Sequence, residues 1–182
     1  MTAENNIKKS NDEVFVADGP VVKVDRNVTE FLKSKSASNI RNRARLSAHG
    51  DIKDKLHEMF IVLTGKGYIR PHKHSGKSES FHIIEGLLDV VIFDEDGKVV
   101  EVIQMGDYAS GKIFYYRIPD AIYHAPFVKS DSALFHEVTN GPFSRTDTIF
   151  APWAPEENNS SVVDNYIVKT TKDVETFLKH HK

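Results

Sequence analysis

The 182-residue chain contains no cysteine. That absence excludes disulfides, thiolate metal ligands and cysteine nucleophiles together. It leaves the redox compartment open, because a reducing cytosol permits cysteine-free chains without requiring them. Long apolar runs are missing as well. Nothing approaches the roughly 18 residues needed to cross a bilayer, and residues 1–10 have no apolar signal-peptide core. A cytoplasmic location and no membrane partner are the expectations. Net charge is also scarce: a formal −2 gives no overall pull toward nucleic acid or anionic lipid, so a charged ligand must be read by a local site. No Ser/His/Asp nucleophile pattern, glycine-rich phosphate loop or DNA-reading helix stands out. At 40% hydrophobic content with interspersed charges, the chain suits one folded domain with decorated ends.

What is present is histidine in an informative arrangement. His72 and His74 are separated by one residue, Glu79 follows five positions on, and His124 lies downstream. Alternate residues of an extended strand share a face about 7 Å apart along the chain, so both imidazoles reach one ion. On a helix the same spacing turns them away from each other. Imidazole suits iron, nickel, copper or zinc, while an added carboxylate oxygen favours harder ions such as Mn or Fe(II). His72, His74, Glu79 and His124 are therefore the expected ligands of one divalent ion per chain, of Fe, Mn, Ni or Zn. Four protein ligands leave two open positions in an octahedral site, or none in a closed tetrahedral one, and Lewis-acid chemistry or water activation requires open positions.

Along the chain, the first dozen residues lack periodicity and are expected to fray. Residues 14–24 look like two short strands around Gly19-Pro20, and Val28, Phe31 and Leu32 predict a helix over 28–36 capped by Asn27. From residue 39 onward the chain reads as strands. Ile40, Ala44, Leu46 and Ala48 form one parity, expected inside, and Arg41, Arg43 and Arg45 the other. Further strands are expected at 59–64, 81–84, 87–93, 99–105, 113–118, 122–128 and 133–138, with an acidic hairpin turn at 94–97. Many short strands at regular spacing imply an all-β sandwich or barrel. Val174, Phe177 and Leu178 predict a short helix over 171–179, and the trailing His180 and His181 are read as solvated.

The stretch from His72 to Gly86 resembles the first cupin motif: HxH, four residues, Glu, six residues, Gly. Pro119, Ala121 in place of the usual glycine, and His124 resemble the second. Gly67 stands one residue closer to His72 than the motif asks, and Val128 replaces its usual asparagine. More narrowly, Arg70-Pro-His-Lys-His74, Phe93-Asp-Glu-Asp-Gly97, Tyr116-Arg-Ile-Pro119, His136-Glu-Val-Thr-Asn-Gly-Pro-Phe143 and Trp153-Ala-Pro-Glu-Glu157 resemble the WbuC family of cupin-fold metalloproteins. The resemblance implies a cupin jelly roll, a double-stranded β-helix with ligands at its mouth, and a setting in bacterial surface polysaccharide synthesis. On this reading residues 1–38 are an N-terminal arm with a short helix, 39–157 the cupin domain, and 158–182 a C-terminal extension with a short helix. Cupin habit adds a homodimer.

Around the expected ligands, Arg70 and Arg117 are candidates for holding an anionic ligand, since guanidinium matches carboxylate or phosphate in planar geometry. Tyr116, Tyr123 and His136 are candidates for moving a proton. His136 and Glu137 are neighbours on a strand, so only one of them can face the cavity. His82 falls on the strand face opposite Glu79, His49 is unassigned, and the Arg41/Arg43/Arg45 stripe has two readings, a fork for phosphate or carboxylate and, preferred, an exposed strand face. The leading expectation is a metal enzyme of isomerase or epimerase type acting on a sugar or sugar nucleotide. The alternatives are an Fe(II)-dependent dioxygenase and a non-catalytic, metal-dependent carbohydrate-binding module.

Overall fold

The computed structural model describes residues 6–158 and 160–181. Its strands are β1 (Ile7–Lys9), β2 (Val14–Ala17), β3 (Arg43–Ser47), β4 (Leu56–Thr64), β5 (His72–His74), β6 (Glu79–Glu85), β7 (Leu87–Phe93), β8 (Val99–Gly106), β9 (Tyr115–Ile118), β10 (Tyr123–Val128), β11 (Ser132–Asn140) and β12 (Thr148–Phe150). Helix α1 (Arg26–Ser38) precedes β3, and α2 (Ser160–His180) ends the chain. The strands form two sheets, in the orders β1-β2-β3-β4-β11-β6-β9 and β12-β5-β10-β7-β8. Pairing is antiparallel throughout, apart from the β2–β3 contact.

Three apolar layers follow from strand alternation. Between the sheets lie Met59, Ile61, Leu63, Phe81, Ile83, Leu88, Val90 and Phe135. The outer face of the larger sheet is covered by α1, whose Val28 and Leu32 meet Ala44, Leu46, Val62 and Leu134. Leu32 is 0% exposed, a burial worth about 1.5–3 kcal/mol. The outer face of the smaller sheet, with Val91, Phe93 and Ala125, is covered by Val174 and Phe177 of α2 and by Trp153. Trp153 also donates its indole N–H to Glu95 O at 3.0 Å. At Gly97, φ is +84° and a Cβ would come within 2.6 Å of the Trp153 ring, so the hairpin turn admits glycine for both reasons. No helix among the described residues is long and apolar enough to cross a membrane.

Several expectations are corrected. β1 pairs β2, so part of the stretch expected to fray is an ordered edge strand; residues 1–5 lie outside the described residues. Val21 and Val22 are exposed outside any strand, because the partner of β2 comes from upstream rather than from beyond Gly19-Pro20. The cap of α1 is Asp25, whose carboxylate accepts from Val28 N at 3.1 Å, not Asn27. Ile40 is 95% exposed, because the chain turns at Asn39–Asn42 and β3 begins only at Arg43. Helix α2 is 21 residues long rather than a short segment over 171–179, since Val163 and Thr170 extend its buried stripe upstream.

Candidate metal centre

Two short pairings bring the histidines together. β5 lies between β10 and β12, with His72 opposite both His124 and Phe150, and His74 opposite Thr148. Residues paired across a ladder share a face, so the row Phe150, His72, His124 lines one wall of the sandwich at its open end. Glu79 opens β6 in the other sheet, opposite Ile118 and Thr139, and faces the same space. Three ligands thus come from one sheet and the fourth from its neighbour.

The candidate ligand atoms of His72, His74, Glu79 and His124 all lie within 4.8 Å of one another. His74 Nε2 is 3.1 Å from Glu79 Oε2, and His124 Nε2 is 3.0 Å from Glu79 Oε1. Adjacent ligands each about 2.1 Å from a shared octahedral ion stand about 3 Å apart, so this spacing fits a first-row divalent metal. The tautomers fit as well. His72 Nδ1 and His124 Nδ1 each contact a backbone carbonyl at 2.9 Å, of Arg70 and Ile122 respectively. Each Nδ1–H therefore donates to its carbonyl and leaves Nε2 as a lone pair aimed inward, the usual support for a ligating imidazole. His74 Nδ1 is 3.4 Å from Thr148 Oγ1. His124 Nε2 is buried and makes no well-aligned hydrogen bond; its approach to Glu79 is a contact of charge, not a directional bond.

Burial pushes the His72 pKa down to about 3, with His124 adding to the effect, so His72 is neutral and able to ligate across the physiological range. Burial would raise Glu79, but His124 and His74 outweigh it and hold its carboxyl well below the usual range. Burial would lower His124, and Glu79 overrides that, leaving it raised. In the metal-free cluster a proton therefore occupies His124 Nε2 opposite Glu79, and the lone pair that would ligate is freed only when that proton leaves. That pairing favours the metal-free fold below the ordinary histidine pKa and is lost as pH rises through the raised value. Metal must displace the proton. Titrating zinc into the metal-free protein in weak buffer is expected to release protons at pH 6. The release should fall toward zero at pH values above the His124 pKa, with apparent affinity rising over the same range. Affinity that is flat from pH 6 to 9 would contradict this account.

Tyr116 lies at the cluster. It is buried, and its hydroxyl donates to Glu79 Oε1 at 3.2 Å. Burial and the adjacent carboxylate raise its pKa well above the usual value, so its part is to position Glu79 rather than to ionise. The structure carries the other two expected proton movers away from the cavity. Tyr123, adjacent to His124 on β10, faces the opposite side, packs on Trp153 at 5.8 Å and lies beneath Lys73 Nζ at 4.2 Å. His136 also points outward, stacked on Phe60 at 4.7 Å, because Phe135 beside it occupies the core. Glu137 is the member of that neighbouring pair that shares Phe135's face.

Among the expected anion holders, Arg117 is exposed on the outer face of β9, between inward-facing Tyr116 and Ile118. Arg70 is near the site but engaged elsewhere: its Nη2 donates to Ala151 O at 2.8 Å, and its guanidinium lies over Phe150 at 5.5 Å. His82 is exposed opposite Glu79's face, beside Phe114 at 5.6 Å. His49 stacks on His57 at 4.0 Å, outside the cluster. Two cavity-facing residues had little sequence signal. Phe150 sits on a three-residue strand in an apolar wrap, and Arg45 is exposed on the face of β3 opposite Ala44 and Leu46.

A two-sheet jelly roll with three histidines and a glutamate gathered at its mouth defines a cupin fold with a candidate mononuclear metal site. Residues 24–105 match the family model described as a domain of unknown function, DUF6016. No curated protein matches the sequence. Among solved structures, protein SO0799 from Shewanella oneidensis is similar with a TM-score of 0.50 and 12% identity, over 62% of this chain and 75% of that one. Oxalate oxidase in complex with glycolate gives 0.49 and 17% identity, over 63% of this chain and 58% of that one. Salicylate 1,2-dioxygenase from Pseudoaminobacter salicylatoxidans gives 0.49 and 14%, over 65% of this chain and 34% of that one. The chain thus spans little more than half the length of the oxidase and a third of the dioxygenase. The likeness to SO0799 extends to fold alone.

Proposed function

We propose that this protein is a metal-dependent cupin acting on a sugar or sugar-nucleotide intermediate of bacterial surface polysaccharide (O-antigen or lipopolysaccharide) biosynthesis, with isomerase- or epimerase-like chemistry. The observation that carries the metal half is the convergence of four ligand atoms within 4.8 Å, with two imidazoles locked by backbone carbonyls to present Nε2. The resemblance to the WbuC family supplies the biosynthetic setting. A divalent ion held there would polarise a carbonyl or hydroxyl oxygen. Tyr116 fixes the Glu79 carboxylate, and the half-exposed ring of Phe150 beside His72, at 6.1 Å, offers an apolar platform for a sugar ring. Glu137 supplies the cavity's second carboxyl. Burial and Glu79 hold it well above the usual carboxylate range, which suits a group that delivers a proton.

The test is incubation of the metal-loaded protein with nucleotide sugars in deuterated water. The expected result is deuterium at a sugar carbon beside a carbonyl, or an inverted centre, visible by NMR and abolished by chelator. Sugars that bind in a metal-dependent way but return unchanged would replace the enzyme with a binding module. Oxygen consumption that requires iron would replace the isomerase with a dioxygenase.

A further inference from the structure

The three arginines at the start of β3 have different fates. Arg41 and Arg43 both pair with Glu13 and Glu157, tying the start of β3 to the segment after β12. Arg45 has no ion pair and no side-chain hydrogen bond among the described residues. Its register places it opposite Ile61, whose side chain lies between the sheets, while Ala44 and Leu46 turn toward α1. Arg45 therefore projects into the space that the metal cluster also faces. Glu137 shares that wall, paired with Met59 and Phe81 on the same inward side, and its side chain also makes no hydrogen bond or ion pair among the described residues. Across the gap stand His72 and Phe150.

Arg45 is exposed, so its guanidinium is open to solvent, and its surroundings still draw its pKa down against the pull of Glu137 and Glu13. A guanidinium that faces the same side as the cluster, is open to solvent and has no protein partner is free to receive an incoming anionic group. Guanidinium offers a planar fork of donors matched to two oxygens of one anionic group.

We infer that Arg45 is a ligand-binding residue, receiving a carboxylate or phosphate of a molecule seated between it and the His72, His74, Glu79 and His124 cluster. This rests on reading that cluster as a metal centre, and it narrows the ligand to one carrying an anionic oxygen group.

The experiment uses the full chain loaded with Mn(II) and three probes in calorimetric titration: glucuronate, glucose 1-phosphate and uncharged glucose. At least one anionic probe is expected to bind better than glucose, and the tighter of the two identifies the group as carboxylate or phosphate. Arg45→Gln is expected to weaken that probe about tenfold or more, with metal content, thermal unfolding and glucose binding unchanged. Arg45→Lys keeps the charge without the fork, and recovers only part of the loss; it carries the test if Arg45→Gln fails to fold. Anion affinity unaltered in both variants overturns the proposal, as does a metal-loaded wild type that prefers neither anion to glucose. A wild type that holds no metal but still loses anion binding through Arg45→Gln would remove the metal centre and leave the anion site standing.

Discussion

Glu79→Ala is expected to abolish stable metal binding, lowering affinity by at least about a hundredfold, beyond the range seen when only supporting residues are lost. Glu79 is 3% exposed and is the one ligand contributed by the larger sheet. Its oxygens contact His74, His124 and Tyr116 at 3.1, 3.0 and 3.2 Å. Removing them leaves buried groups unpaired, each at a cost of about 1–3 kcal/mol. The metal-free variant should therefore also unfold at lower temperature than metal-free wild type. Elemental analysis after dialysis reads the first effect and thermal unfolding with and without chelator reads the second. Chelator should shift the wild type and leave the variant unmoved. A variant that retains one equivalent of metal would show that the four side chains gather for some reason other than ligation.

Phe135→Ala should cause the largest loss of stability, about 3–5 kcal/mol, lowering the melting temperature by on the order of 10 °C. Phe135 is 0% exposed between the sheets and stacks on Phe81 at 4.5 Å. Phe81 in turn meets Tyr116 edge-on at 5.0 Å, and Tyr116 holds Glu79. The cavity left behind would thus loosen a ligand three contacts away, so metal affinity should drop along with stability. His136→Ala, one residue along and facing outward, should cost under about 1 kcal/mol. Denaturant unfolding of the pair provides the comparison. Similar losses in both would mean that the two strand faces are wrongly assigned.

His72 and His74 were legible from one local rule, that two histidines one residue apart on a strand share a face, while Glu79 and His124 needed the spacing of the two motifs as well. The hairpin of β7 and β8 was legible for a similar reason, its acidic turn standing between two apolar runs. Errors arose where a residue's face depends on a layer that lies far away in sequence. On β3, Ala44 and Leu46 are buried as expected, but what buries them is α1, while Arg45 on the other face stays exposed. Tyr123 and Arg117 illustrate the opposite case: their alternation with His124, and with Tyr116 and Ile118, already placed them away from the cavity. Proximity in sequence to a ligand was the weaker guide. The upstream half of α2 was obscured because its contacts with the smaller sheet are spaced widely along a polar surface.

His72, His74 and His124 stand on one sheet and Glu79 on the other. A cation shared among them acts as a rivet through the sandwich at its open end, where the aliphatic filling between the layers gives way to polar side chains. Amide hydrogens of β5 and of the first residues of β6 should then exchange with solvent much more slowly in the loaded protein. The far end, closed by Leu63 and Leu88, should exchange at the same rate in either state.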